Sequence, residues 1–186
     1  MTTISKSVII ELSKTKGNKM TLLNLKTFIN NTVKKGGLYY YNHSDYYIFT
    51  NGKIAYGIRK GTTIDLPVKQ LEELSNNYTL KLRTSQSLDE IVNIYKNGKR
   101  THVTNYKDSF INNSKTVNVF TDMWNNTDYV TIDRRYKNCC KSTNKCVKDC
   151  FIIETVIKNK EISLYFESTL NDDEFVLIMP IQLRKG

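Results

Sequence analysis

The sequence predicts an α+β fold, mainly antiparallel sheet with two or three short helices. Three observations predict it. Two β-rich runs, Tyr46–Thr50 and Lys53–Arg59, flank Asn51-Gly52, the strongest short hairpin signal because both residues tolerate positive φ. Two stretches, near residues 21–33 and 67–74, repeat apolar residues at helical spacing. Near the end of the chain, Phe151–Lys158, Glu161–Glu167 and Glu174–Leu183 read as three consecutive strands, the first two joined at Asn159-Lys160.

In chain order, Ser7–Leu12 is β-branched and reads as a first strand. Thr21 can cap a helix running to about Val33, with Leu22, Leu25, Phe28, Ile29 and Val33 on one side. The Gly36-Gly37 pair stops it. The aromatic run Leu38–Asn42 precedes the hairpin, and Thr63–Leu66 reads as a brief strand. Pro67 suits the first turn of a helix with Val68, Leu71 and Leu74 on its apolar face and Asn76-Asn77 at its end. Tyr78–Arg83 alternates as a strand. The next stretch is ambiguous. Ser87 and Glu90 have capping-box spacing, and Leu88, Ile91, Val92 and Tyr95 fit a helix. Asn97-Gly98 followed by Lys99–Thr104 argues instead for a hairpin, the reading favoured here. Tyr106–Ser114 reads as loop, Thr116–Thr121 and Tyr129–Asp133 as strands around a turn at Trp124–Thr127, and Lys137–Asp149 as a cysteine-bearing loop. Strand–helix–strands begins twice, a weak βαβββ repeat. The expected organisation is a unit over 1–105 and a shorter β-rich unit over 106–186, or one domain throughout.

At 186 residues, 39% hydrophobic and 25% charged, the chain can bury a sizeable core. No apolar run approaches the ~20 residues that span a bilayer, and no basic-then-apolar leader opens the chain. These features predict a soluble protein of the cytoplasm (a host's, if viral) with no membrane partner. Twenty-eight Lys and Arg against 18 Asp and Glu give a formal charge of +10, which favours polyanionic partners, nucleic acid first.

Two blocks carry a resemblance. TNGKIA (Thr50–Ala55) followed by IDLPVKQLEEL (Ile64–Leu74) resembles the bacterial DNA sliding-clamp family (DNA polymerase III beta subunit). ISLYFES (Ile162–Ser168) and EFVLIMPIQL (Glu174–Leu183) resemble the same family's chain end. Clamp domains are built from doubled βαβββ units, and there the two motifs line a hydrophobic cleft that captures peptide motifs of polymerases and clamp loaders. The resemblance implies a partner-binding cleft formed by Thr50, Gly52, Lys53 and Ile54 with Met179, Pro180, Ile181 and Leu183. It also implies a homo-oligomeric ring. The chain departs from the family at Asn51, which replaces an acid, and at Gln182, where Arg is expected. Its length fits either a reduced phage- or plasmid-type relative that assembles more copies per ring, or a chain that kept the cleft and lost the ring.

Lys26, Lys34 and Lys35 near the first helix, with Arg59 and Lys60, are the candidates for nucleic-acid contact. The tyrosines from Tyr39 to Tyr47, with Phe49, either stack bases or pack on one another. Cys139, Cys140, Cys146 and Cys150 have the ligand count of a structural zinc but not the paired spacing, leaving zinc, disulfide and free thiols all open. His43 and His102 have no partnered nucleophile nearby in sequence, and Asp172-Asp173-Glu174 reads as a loop rather than a cation site. No glycine-rich phosphate loop, HExxH or serine elbow is present.

The expected function is therefore non-enzymatic: a sliding-clamp-like replication accessory protein that binds duplex DNA and recruits replication proteins. The alternative is a monomeric interaction protein for a replication factor or single-stranded nucleic acid. A small nucleic-acid enzyme using Asp172, Asp173 or Glu174 with a metal ranks below both.

Overall fold

A computed structural model of the chain describes residues 22–32, 37–62, 65–75, 85–103, 105–112, 115–121, 129–141, 148–169 and 171–181. The strands expected at Ser7–Leu12 and Tyr78–Arg83 and the turn at Trp124–Thr127 lie outside the described residues, as do Lys34, Lys35, Cys146 and Leu183.

The fold is α+β with a mainly antiparallel sheet, as the sequence predicts. Four helices are described: α1 (Leu25–Thr32), α2 (Asp65–Ser75), α3 (Ser85–Asn97) and the single turn α4 (Arg134–Lys137). Strands β1 (Tyr39–Asn42), β2 (Tyr46–Thr50), β3 (Ile54–Arg59), β4 (Arg100–His102), β8 (Lys148–Ile157), β9 (Lys160–Thr169) and β10 (Glu174–Ile178) form one sheet in the order β1-β2-β3-β10-β9-β8-β4. Strands β5 (Asn105–Asn112), β6 (Lys115–Thr121) and β7 (Tyr129–Asp133) form a second sheet. The larger sheet thus takes strands from both sides of residue 105. Its halves, β1-β2-β3 and β8-β9-β10, meet where β3 pairs antiparallel with β10, from Glu174↔Ile58 to Ile178↔Ile54.

Both faces of this sheet are covered, and the two-residue strand period sorts the side chains between them. One face carries Phe49, Tyr56, Ile58, Ile152, Tyr165 and Val176 and packs against Phe28 and Ile29 of α1, Leu71 of α2, and Ile132 of β7. The other carries Ile48, Ala55, Phe151, Ile153, Leu164, Phe166, Phe175 and Leu177 beneath Leu88, Val92 and Tyr95 of α3. Double coverage explains why β10 is buried at every position and why Phe175–Ile178 is an unbroken apolar run. Gly57, opposite Phe175, makes room for that ring: a Cβ there would stand 2.2 Å from Phe175 Cε1.

Several expectations are corrected. The stretch after Ser85 is a helix and not a hairpin; Gly98 ends it by donating its N–H to Ile94 O at 2.8 Å. Tyr106–Ser114, expected as loop, holds most of β5, which pairs with β6 from Asn105↔Thr121 to Asn112↔Lys115. Asp65 and Leu66 open α2 and do not end a strand. Asn24, not Thr21, caps α1, its Oδ1 accepting the Thr27 N–H at 3.2 Å. The helix closes where Gly37, at φ +94°, donates its N–H to Thr32 O at 3.2 Å. Among the described residues, no helix is long and apolar enough to cross a membrane.

Candidate functional site

The β2–β3 turn is built by its own side chains. Asn51 N–H donates to Ile54 O at 3.3 Å, making Gly52 and Lys53 the central pair, one residue later than expected. Gly52 holds φ +80°. Asn51 Oδ1 accepts the N–H groups of Lys53 and Ile54 at 3.0 and 3.1 Å, and Thr50 Oγ1 accepts that of Gly52 at 3.0 Å while donating to Ile54 O at 2.8 Å. The end of β10 is tied to this turn, because Met179 N–H donates to Lys53 O at 2.9 Å. Two residues on, Ile181 N–H donates to Thr131 O and Thr131 Oγ1 donates back to Ile181 O, both at 2.7 Å. The two short segments singled out in the sequence, far apart along the chain, are therefore joined by a backbone hydrogen bond.

Between them lies an apolar cleft of about 310 Å³. Thr50, Gly52, Ile54 and Ala55 line it from the turn side, Leu177 of β10 and Met179 just after it from the other, and Ile157 and Lys158 from the tip of β8. Leu88, Glu90 and Ile91 line it from the first half of α3, and Tyr39 of β1 adds to the lining. Of the eight residues nominated from the sequence, Thr50, Gly52, Ile54 and Met179 line the cleft. Lys53 stands exposed on its turn, and Pro180 and Ile181, half-buried, follow the chain toward Thr131. The missed residues, Leu88, Ile91, Ile157 and Leu177, come from elements whose pairing no single stretch of sequence discloses. Only the helical spacing of Leu88 and Ile91 pointed to them.

Of the basic candidates, Lys26, Arg59 and Lys60 are among the described residues. Lys26 is exposed on α1, and Arg59 is exposed at the far end of β3. Lys60 lies 5.4 Å from the centre of the Tyr47 ring, and its N–H bonds Asp45 O. The aromatic run is largely engaged with itself. Tyr46 and Phe49 are buried, Tyr40 stacks on Phe49 with centroids 5.2 Å apart, and burial pushes the Tyr40 hydroxyl up to about 12.

Of the described cysteines, Cys140 and Cys150 both lie near Lys137 and Tyr165, and Cys139 faces α1. Cys139 is buried beside α1, its Sγ 3.4 Å from Arg135 O and 3.6 Å from Asn31 Nδ2, and burial pushes its thiol up to about 11. Cys150 sits on β8 opposite Glu167, a buried carboxylate that accepts from Lys137 Nζ and, at 2.9 Å, from Tyr165 Oη. Burial opposes the charge on Lys137, and Glu167 outweighs it, leaving the ammonium above its ordinary range. Among the described residues, no three His, Cys, Asp or Glu side chains are grouped to hold a metal. The acidic triplet also splits. Asp172 accepts from Tyr95 Oη at 2.5 Å, whereas Glu174 points to the other face of the sheet. His102 Nδ1 lies 2.6 Å from Asp149 Oδ1 at the β4 edge.

None of the protein-family models, curated proteins or solved structures compared with this chain matches it.

Proposed function

We propose that this chain is a non-enzymatic binding protein whose cleft takes a short apolar peptide of a replication-type partner. The carrying observation is the backbone bond from Met179 to Lys53, which brings the two clamp-like motifs to the walls of one apolar pocket. A cavity of this size, lined by Ile, Leu and a Met thioether and rimmed by few polar groups, suits side chains of varied shape. The monomeric form of this reading has a specific observation in its favour over the ring. Helix α3 packs on the sheet face opposite α1 and α2, so these three described helices do not line one common face that could turn toward a duplex.

The test is affinity. Heptapeptides selected from a random library on the full chain should bind Ile91→Glu and Met179→Glu about 10- to 100-fold more weakly, the worth of one well-buried aliphatic contact. Both residues are only half-buried, so the melting temperature should hold. Peptides that bind both variants as tightly as the parent would place recognition elsewhere.

The surplus of basic residues supports a second contact of the same protein, with the phosphates of nucleic acid. Affinity for a short DNA duplex should fall steeply with salt, and Arg59→Ala should reduce the slope of log affinity against log salt by about one. A salt-independent affinity would contradict the electrostatic contact.

A further inference from the structure

The cleft lies where the seven-stranded sheet runs out. Strand β10 pairs with β9 only from Phe175↔Ser168 to Ile178↔Tyr165. Beyond Ile178 the chain leaves the sheet, held by Lys53 O and Thr131 O. Strands β8 and β9 continue without it as a two-stranded arm, as far as Ile157↔Lys160. Residues 160–164 of β9 therefore have β8 on one side and, among the described residues, no strand on the other. The cleft reaches both ends of this arm's gap: its walls include Leu177 of β10 and Met179 just beyond it, and Ile157 and Lys158 where β8 turns into β9. No described residue of β9 itself lines the cleft, but the sheet order runs β9 between β10 and β8.

We propose that the peptide taken by the cleft binds as an added strand along residues 160–164 of β9, extended, with apolar side chains two positions apart and acidic residues flanking them. The proposal rests on the peptide-binding reading above and specifies its geometry. An unpaired strand edge presents a row of N–H and C=O groups, and an extended chain satisfies them while sending alternate side chains to one face. That face is the one on which Ala55, Leu177 and Ile157 lie. The arm is ready-made for this, because Ile157 and Ile162 pack against the core beneath α3, so little ordering opposes binding. Charge selects the flanks. Lys53, Lys158 and Lys160 stand exposed on the two turns that frame the cleft, against Glu90 on the helix wall, which favours an anionic residue beside the apolar anchors.

The test uses the heptapeptides selected on the full chain, each resynthesised with single backbone N-methyl groups. N-methylation removes one donor and leaves every side chain in place. Methylation at alternate residues should weaken binding by about tenfold, the worth of a lost ladder bond and its clash, while methylation at the intervening residues does little. Amide exchange within residues 160–164 should slow on binding. Binding indifferent to N-methylation but abolished by Ile91→Glu would overturn the added strand and leave the cleft standing. Binding indifferent to Ile91→Glu would overturn both.

Discussion

Glu174 is 1% exposed, yet it is an acid, and it opens a core strand. Its Oε2 accepts the Leu22 N–H at 2.7 Å and the Tyr56 hydroxyl at 2.9 Å, which ties the segment before α1 to the sheet. Burial raises its pKa above the ordinary 4.5; the two hydrogen bonds and Lys141 pull against that, and Asp173 adds to it. The folded state therefore holds this proton more tightly than the unfolded chain. Its contribution to stability is full below about pH 4.5 and is lost as pH rises through the raised value. Glu174→Gln keeps an acceptor oxygen for both donors and cannot ionise. Melting temperatures of the parent and the variant, followed from acid to neutral pH, should show the parent losing stability relative to the variant over that window. Parallel curves would show that Glu174 does not titrate against folding. None of this was visible beforehand: Asp172-Asp173-Glu174 looks like a surface loop, and only the pairing of Glu174 with Ile58 turns the third carboxylate inward. The cleft residues Thr50, Gly52, Ile54 and Met179 were legible because each belongs to a short motif whose resemblance to the clamp family implied a cleft there.

At the scale of elements, hairpins were the most readable and α3 the least. Asn97-Gly98 imitates a hairpin turn, but the competing apolar spacing of Leu88, Val92 and Tyr95 prevails because one sheet face has to be covered. Tyr95 stacks on Phe175 with centroids 4.3 Å apart. Gly98 serves the helix end instead; a Cβ there would meet Ile153 Cγ2 at 2.6 Å. Strand β5 was missed for the opposite reason, since its polar residues hide a period that only pairing with β6 brings out. The β8–β9 turn was placed one residue late. Lys158 and Asn159 are its central pair, at φ +52° and +61°, and Ile157 pairs with Lys160. Positive φ at both central residues is the type I′ geometry that favours Asn-Gly. Asn159→Gly should raise unfolding free energy by about 0.5–1 kcal/mol in urea titration, through relief at a left-handed position. A loss of stability would mean that Asn159 contributes a contact beyond its backbone.

The whole molecule is organised about the β3–β10 pair, where two antiparallel meanders, one from each half of the chain, become a single sheet. A helix precedes each meander, α1 before β1 and α3 before β4 and β8–β10, but these helices lie on opposite faces, and the second strand–helix start expected from about Thr63 is instead helix α2 from Asp65. A repeat in sequence does not state which face a helix will cover; that is decided by which residues of β2, β3, β9 and β10 point each way. The same junction makes the cleft, since β3 begins and β10 ends there and the first half of α3 forms one wall. The most direct measurement is photo-crosslinking of a selected heptapeptide carrying a diazirine on its apolar anchor, with the adduct mapped by mass spectrometry. The cleft predicts adducts within Thr50–Ala55, Leu88–Ile91, Ile157–Lys158 and Leu177–Met179. Adducts confined to any other surface would contradict it.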